Sequence, residues 1–268
     1  MRITPAARLS LRTLALVYLL VLVGLPVGTI LWQTFSPGWS TFWSWITTPA
    51  AISAFNLSMA IVAITVPLNV VFGVITALAL VRGRFRGRGV LQTIVDLPFA
   101  VSPIVVGVAL ITLWGADGWF GFFDGAGFPI IYALPGMVIA TVFVTMPFVV
   151  REVEPVLREI GTSQEQAAAT LGANGWQTFW RITLPSIRWG LTYGIVLTIA
   201  RALGEFGAVI MVSSGFPGVS QTLTLLVHAR YLDDHNTYGA YAAATLLMGI
   251  AVVVLLLMTL LERLRSRR

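Results

Sequence analysis

The chain has 268 residues, 57% of them apolar and only 10% charged; soluble domains carry about 25% charged residues, so a water-solvated fold is at odds with this composition. The 17 basic residues are all arginine and set a net charge of +6. Fifteen of them, all but Arg201 and Arg230, cluster at the termini and in alternate loops between apolar runs, which follows the positive-inside rule of membrane proteins and speaks against nucleic-acid binding. Cysteine is absent, so thiols say nothing of the redox compartment.

Arg2, Arg8 and Arg12 precede an apolar run at 14–30. That run is long for a signal-peptide core, and Gly24-Leu-Pro26-Val-Gly28 offers no clear small-x-small cleavage site, so it reads as an uncleaved first span. A bilayer core needs roughly twenty apolar residues per helix. Six segments qualify, about 12–35, 54–81, 90–114, 130–150, 187–212 and 240–261. Arginine then collects at Arg82, Arg84, Arg86 and Arg88, at Arg151, Arg158, Arg181 and Arg188, and at Arg263, Arg265, Arg267 and Arg268. Six spans with both termini cytoplasmic place every cluster on one side. The run from Arg82 to Arg88 reads as a turn held at lipid phosphates.

The tryptophans agree with that scheme. Trp32, Trp39, Trp43, Trp45, Trp114 and Trp119 fall at the outer edge, and Trp176, Trp180 and Trp189 at the inner edge, where indoles favour the interface. Pro67, Pro103, Pro135 and Pro147 lie inside spans and predict kinks there. No internal repeat and no linker divides the chain, so residues 1–268 read as one all-α membrane domain.

Between spans 4 and 5 lies the polar loop 151–186. Ser163 and Gln166 have the spacing of a capping box, which predicts a helix starting at Gln164. Ala167, Ala168 and Leu171 then share a small apolar face, and Gly172 fits the position after the helix end. So short a helix needs something to pack against; the bland reading is a polar connector.

In span 5, Arg201 lies about fifteen residues past Pro185, roughly 22 Å of helical rise, which places it beyond the membrane midplane. Glu205, four residues on, is positioned to pair with it on one helix face. An intramembrane ion pair marks either a translocation path or a structural packing contact. Gly204 and Gly207 flank Glu205 and suit close helix packing or a hinge, packing being preferred. Beyond them, the outer segment from Ser213 to Tyr241 carries His228, His235, Arg230, Asp233 and Asp234. The histidines are seven residues apart without a supporting thiol, so they predict no metal site, and Arg230 and the aspartates read as rim contacts. No Walker-type glycine loop occurs, so nucleotide hydrolysis and enzyme chemistry are not expected of this chain.

The pattern Gln166-Ala167-Ala168, then Gly172, then Ile182-x-Leu184-Pro185, resembles the signature loop of ABC-importer permeases, with Gln166 where that family usually has glutamate and Glu165 one place earlier. Arg201-Ala-Leu-Gly204-Glu205-Phe206-Gly207-Ala208 is similar to the oxyanion branch, which serves sulfate, thiosulfate, molybdate and tungstate. Its continuation through Val212-Ser213-Ser214-Gly215 and Gln221-Thr222-Leu223 resembles the sulfate/thiosulfate permeases, and within their heteromeric pair the W-type member. A complete first span points the same way.

The resemblance implies a type I importer permease of six spans in the cell membrane. It implies that Ser163, Glu165, Gln166, Ala167, Ala168, Leu171, Gly172, Ile182, Leu184 and Pro185 couple to an ATPase. The implied partners are a second, different permease subunit, two ATPase subunits that bind ATP and Mg, and a sulfate-binding protein at the outer face. No cofactor is expected in this chain. Arg201, Ser213 and Ser214 are candidates for the anion path, with Glu205 as the partner of Arg201. A molybdate or tungstate permease is the alternative within transport; a membrane enzyme or a scaffold is the alternative outside it.

Overall fold

A computed structural model describes residues 5–266, with side chains resolved for residues 10–260 and for Arg263. Arg2, Arg267 and Arg268 of the terminal clusters lie outside the described residues, as do the side chains of Arg8 and Arg265.

Among the described residues five helices are long and apolar enough to cross a membrane, Ser10–Phe35, Pro49–Arg82, Leu134–Ile160, Gly175–Leu203 and Thr237–Leu260; they form spans 1, 2, 4, 5 and 6. Span 3 is a bent pair, Arg88–Ala100 and Pro103–Trp114, whose halves turn by 113°. The bend falls at Pro103, where the sequence predicts a kink, and is sharp enough to end one helix and start another. Ser102 adopts an extended conformation ahead of Pro103, as a residue before proline prefers, and starts a new helix instead of continuing the old one. Pro67, Pro147 and Pro155, by contrast, sit inside continuous helices.

Span 5 departs from expectation at both ends. It begins at Gly175, well before residue 187, because Asn174 and Gln177 form a reciprocal capping box there. It stops at Leu203, and a second helix, Gly207–Val212, follows an irregular Gly204–Phe206. The continuous helix expected to residue 212 is thus broken beside Glu205.

Span 4 is the hub of the bundle and the most buried of the spans, packed against spans 2 and 5. Close approach rests on glycine: a Cβ at Gly73 in span 2 would lie 2.7 Å from the Val149 side chain, and one at Gly107 in span 3 only 2.5 Å from Met211 Cβ. A Cβ on Gly207 would stand 3.0 Å from Pro103 Cβ, so this glycine serves packing. The second half of span 3, the first half of span 4 and the helix Gly207–Val212 share one apolar core with Val106, Met137 and Val209; the end of span 2, the second half of span 4 and the start of span 5 share another with Leu80, Val153 and Ile187. Asn69 and Thr145, fully buried between spans 2 and 4, hydrogen-bond at 2.6 Å. Span 1 buries almost nothing and is tied to span 6 by the Thr34 and Thr245 hydroxyls, 2.7 Å apart.

Candidate functional site

At the C-terminal end of span 4, Gly161 turns the chain with φ +63° into a helix over Ser163–Thr170. The residue that precedes the helix is Thr162, not Ser163, and no side chain caps it; Gln166 instead donates its amide to Thr162 Oγ1 at 3.2 Å. The capping box expected at Ser163 and Gln166 is corrected in this way. Helix termination follows the glycine pattern in full. Gly172 has φ +83°, its N–H donates to Ala169 O at 3.0 Å, and Ala173 N–H donates to Ala168 O at 3.0 Å, the paired bonds of a Schellman turn.

The shared apolar face expected for Ala167, Ala168 and Leu171 is divided. Ala168 is buried against the bundle, Ala167 is exposed, and Leu171 is 89% exposed. Trp176 and Trp180 are exposed as well, their rings 5.5 Å apart, so the loop presents several apolar side chains in a polar setting. Ile182 and Leu184 are half-buried at the start of span 5. Pro185 follows a wide turn at Phe179–Thr183, in which Leu184 N–H reaches Phe179 O; proline, lacking an N–H, sits in the next turn.

Glu165 faces inward. Arg82, the last residue of span 2, donates from Nε to Glu165 Oε2 at 2.9 Å and from Nη2 to Oε1 at 3.2 Å. Thr183 of span 5 donates to the same Oε1 at 3.0 Å. The sequence reading missed this, having set Arg82 among lipid-facing arginines; its partner lies 83 residues along the chain and no local spacing announces it.

A second cluster lies where spans 3 and 5 are both interrupted. Arg201 Nη1 stands 2.6 Å from Glu205 Oε2, although the helix ends between them. Glu205 is 2% exposed; its Oε1 accepts the Ala208 N–H at 2.9 Å, and its backbone carbonyl accepts the Thr224 hydroxyl at 2.8 Å. Oε2 meets Arg201 by proximity alone, without an aligned hydrogen-bond donor. The Arg201 side chain stays 33% exposed and lines a groove of about 400 Å³ with Pro98–Pro103 of the span 3 break, Val144 and Phe148. On that groove's wall Phe99 packs edge-on to Phe148 and carries the Arg151 guanidinium over its ring; Arg151 is paired to Asp96 at 2.8 Å.

Ser213 and Ser214 do not join this cluster. Their hydroxyls turn to Ser220, with Ser213 Oγ donating to Ser220 O at 2.6 Å and the Ser214 and Ser220 hydroxyls 2.5 Å apart. Nearby, His228 lies against the Phe206 ring and His235 is exposed. Arg230 corrects the expectation of a rim contact: it is 5% exposed and donates to Gly239 O, Trp45 O and Thr48 Oγ1. Burial pushes its guanidinium below the usual arginine range, while nearby Asp234 acts in the opposite sense.

The family described as "Binding-protein-dependent transport system inner membrane component" matches residues 69–267. The chain belongs to this family. As a permease of this family it is a transport component without a catalytic site of its own. It is 47% identical to the sulfate transport system permease protein CysW of Synechococcus elongatus, over 97% of this chain and 91% of that protein. It is 36% identical to the sulfate transport system permease protein CysT of Synechocystis, over 92% of this chain and 87% of that protein. This permease is thus CysW-like. Its fold matches that of a solved chain from a bacterial alginate ABC transporter, with a TM-score of 0.79 at 18% identity over 95% of this chain and 93% of that one.

Proposed function

We propose that this permease is one membrane subunit of an ATP-driven importer of sulfate and thiosulfate. The observation that carries the proposal is the CysW likeness along 97% of the chain. A groove lined by an intramembrane arginine suits an anionic cargo. In the complete importer, a CysT-like permease pairs with this one, and two ATPase subunits hold ATP and Mg at the cytoplasmic face. A sulfate-binding protein delivers the anion outside, and both termini of this chain face the cytoplasm.

Closure of the ATPases draws on the helix Ser163–Thr170 through Leu171, Trp176 and Trp180, and the spans re-orient about span 4. A sulfate dianion leaves a strong hydration shell behind, so a transit path has to offer charge and donors without trapping it. Arg201 meets that need: Glu205 neutralises part of its field, and the exposed remainder of the guanidinium faces the groove. Ser213 and Ser214 fit a structural role at the outer loop better than a role in the path, because Ser220 engages both hydroxyls.

The test is uptake of radiolabelled sulfate by cells with and without this gene, with unlabelled thiosulfate, molybdate or tungstate as competitors. Loss of uptake on deletion, with competition by thiosulfate and little by molybdate, is expected. Molybdate uptake lost in place of sulfate uptake would overturn the substrate assignment.

A further inference from the structure

Arg82 engages more of the molecule than any lipid-facing arginine needs to. Besides the fork onto Glu165, its Nη1 donates to Leu157 O at 3.1 Å and its Nη2 to Gly161 O at 2.6 Å. Those carbonyls belong to the last turn of span 4 and the residue just beyond it, where helix geometry leaves acceptors without intrahelical donors. Glu165 in turn takes the Thr183 hydroxyl. One guanidinium therefore joins the end of span 2, the end of span 4, the loop helix and, through Glu165, the start of span 5. The Arg82 and Glu165 side chains are each only 21% exposed, so water screens the junction weakly.

The chemistry is specific to these residue types. A guanidinium is a planar fork that places several donors in fixed directions, which a lysine ammonium cannot reproduce. The carboxylate is specific in position as well. Glu165 points back into the bundle, whereas the exposed Gln166 beside it bonds within its own helix.

We propose that Arg82 is the positioning residue that makes the loop helix move as one body with the inner ends of spans 2, 4 and 5. Motion imposed on the loop then becomes movement of the spans; without the junction the loop flexes at Gly161 and the pull is lost. This rests on the coupling reading above, and it adds a residue outside the loop and a reason why pulling there reaches three spans.

The complete complex in proteoliposomes, supplied with sulfate-loaded binding protein, provides the test. Sulfate moved per ATP hydrolysed is measured for the wild type, Arg82→Lys, Glu165→Gln and the exchanged pair Arg82→Glu/Glu165→Arg. Arg82→Lys, which lies outside the loop, is expected to keep its ATPase subunits and basal hydrolysis while the ratio falls at least about fivefold, the lower end of ordinary coupling between distant sites; Glu165→Gln is expected to lower the ratio to a similar degree. The exchanged pair is expected to recover part of the ratio. A merely structural role lowers assembly and every rate together and leaves the ratio at the wild-type value; that result would overturn the proposal. Glu165→Gln, nearly unchanged in shape, decides the matter where Arg82→Lys assembles poorly. A wild-type complex that moves molybdate and not sulfate removes the substrate assignment alone, and the variants are then scored on molybdate.

Discussion

Glu205 performs two separable tasks, and substitution can measure each. Its Oε1 accepts the Ala208 N–H at 2.9 Å, and its Oε2 lies 2.6 Å from Arg201 Nη1, within a residue only 2% exposed. Glu205→Ala removes both, and the lost capping acceptor costs about 1 kcal/mol. Stranding one partner of a fully buried pair costs about 3–5 kcal/mol. The Arg201 side chain, however, is 33% exposed to the groove. Solvent screening there lowers the charge contribution to about 2 kcal/mol.

The single change Glu205→Ala therefore costs about 3 kcal/mol, and Glu205→Gln about 2, since its amide oxygen still caps Ala208. The double change Arg201→Ala/Glu205→Ala removes the stranded cation and costs about 1 kcal/mol for the lost cap. The assay is the unfolding midpoint of the purified complex against added SDS, followed by tryptophan fluorescence. The expected order of midpoints is wild type, double variant, Gln variant, Ala variant. If the double variant unfolds where Glu205→Ala does, the pair carries no coupling energy and this reasoning fails.

Gly172→Pro cannot adopt the φ of +83° at that position and also deletes the N–H that reaches Ala169 O; the variant should insert in the membrane but lose co-purification of the ATPase subunits, and full co-purification would count against the coupling role. Ala168→Glu, placing a charge where the loop helix meets the bundle, should do the same by displacing the helix. Arg230→Lys keeps the charge but loses the fork that serves Gly239 O, Trp45 O and Thr48; it should lower stability by about 1–3 kcal/mol while leaving substrate preference unchanged, which unfolding midpoints and competition assays check together.

The spans were legible because apolar length and arginine placement are strong, redundant signals. Their breaks were legible only in part, because the prolines mark candidate kinks without saying which of them interrupts a helix. Pro103 interrupts span 3 while Pro67, Pro147 and Pro155 remain in continuous helices, and nothing local separates the cases. What does is tertiary: Gly107 and Gly207 let the second half of span 3 pack closely on Gly207–Val212, stabilising a new helix direction. The end of span 5 was hidden for a similar reason, since Glu205 at i+4 from Arg201 satisfies a helical spacing whether or not the helix continues. The start of the loop helix was read from a Ser163–Gln166 capping box that does not form, whereas its end was readable from Gly172. The inward turn of Arg82 was not, because its partners come from spans 4 and 5 and the loop, and only the fold brings them together.

The central claim is tested most directly by reconstituting this permease with the proposed CysT-like partner, ATPase subunits and binding protein, and counting labelled sulfate inside the vesicles. The account predicts accumulation that needs ATP and the binding protein, is suppressed by thiosulfate and is scarcely affected by molybdate. A fully assembled, ATP-hydrolysing complex that leaves sulfate outside would contradict it.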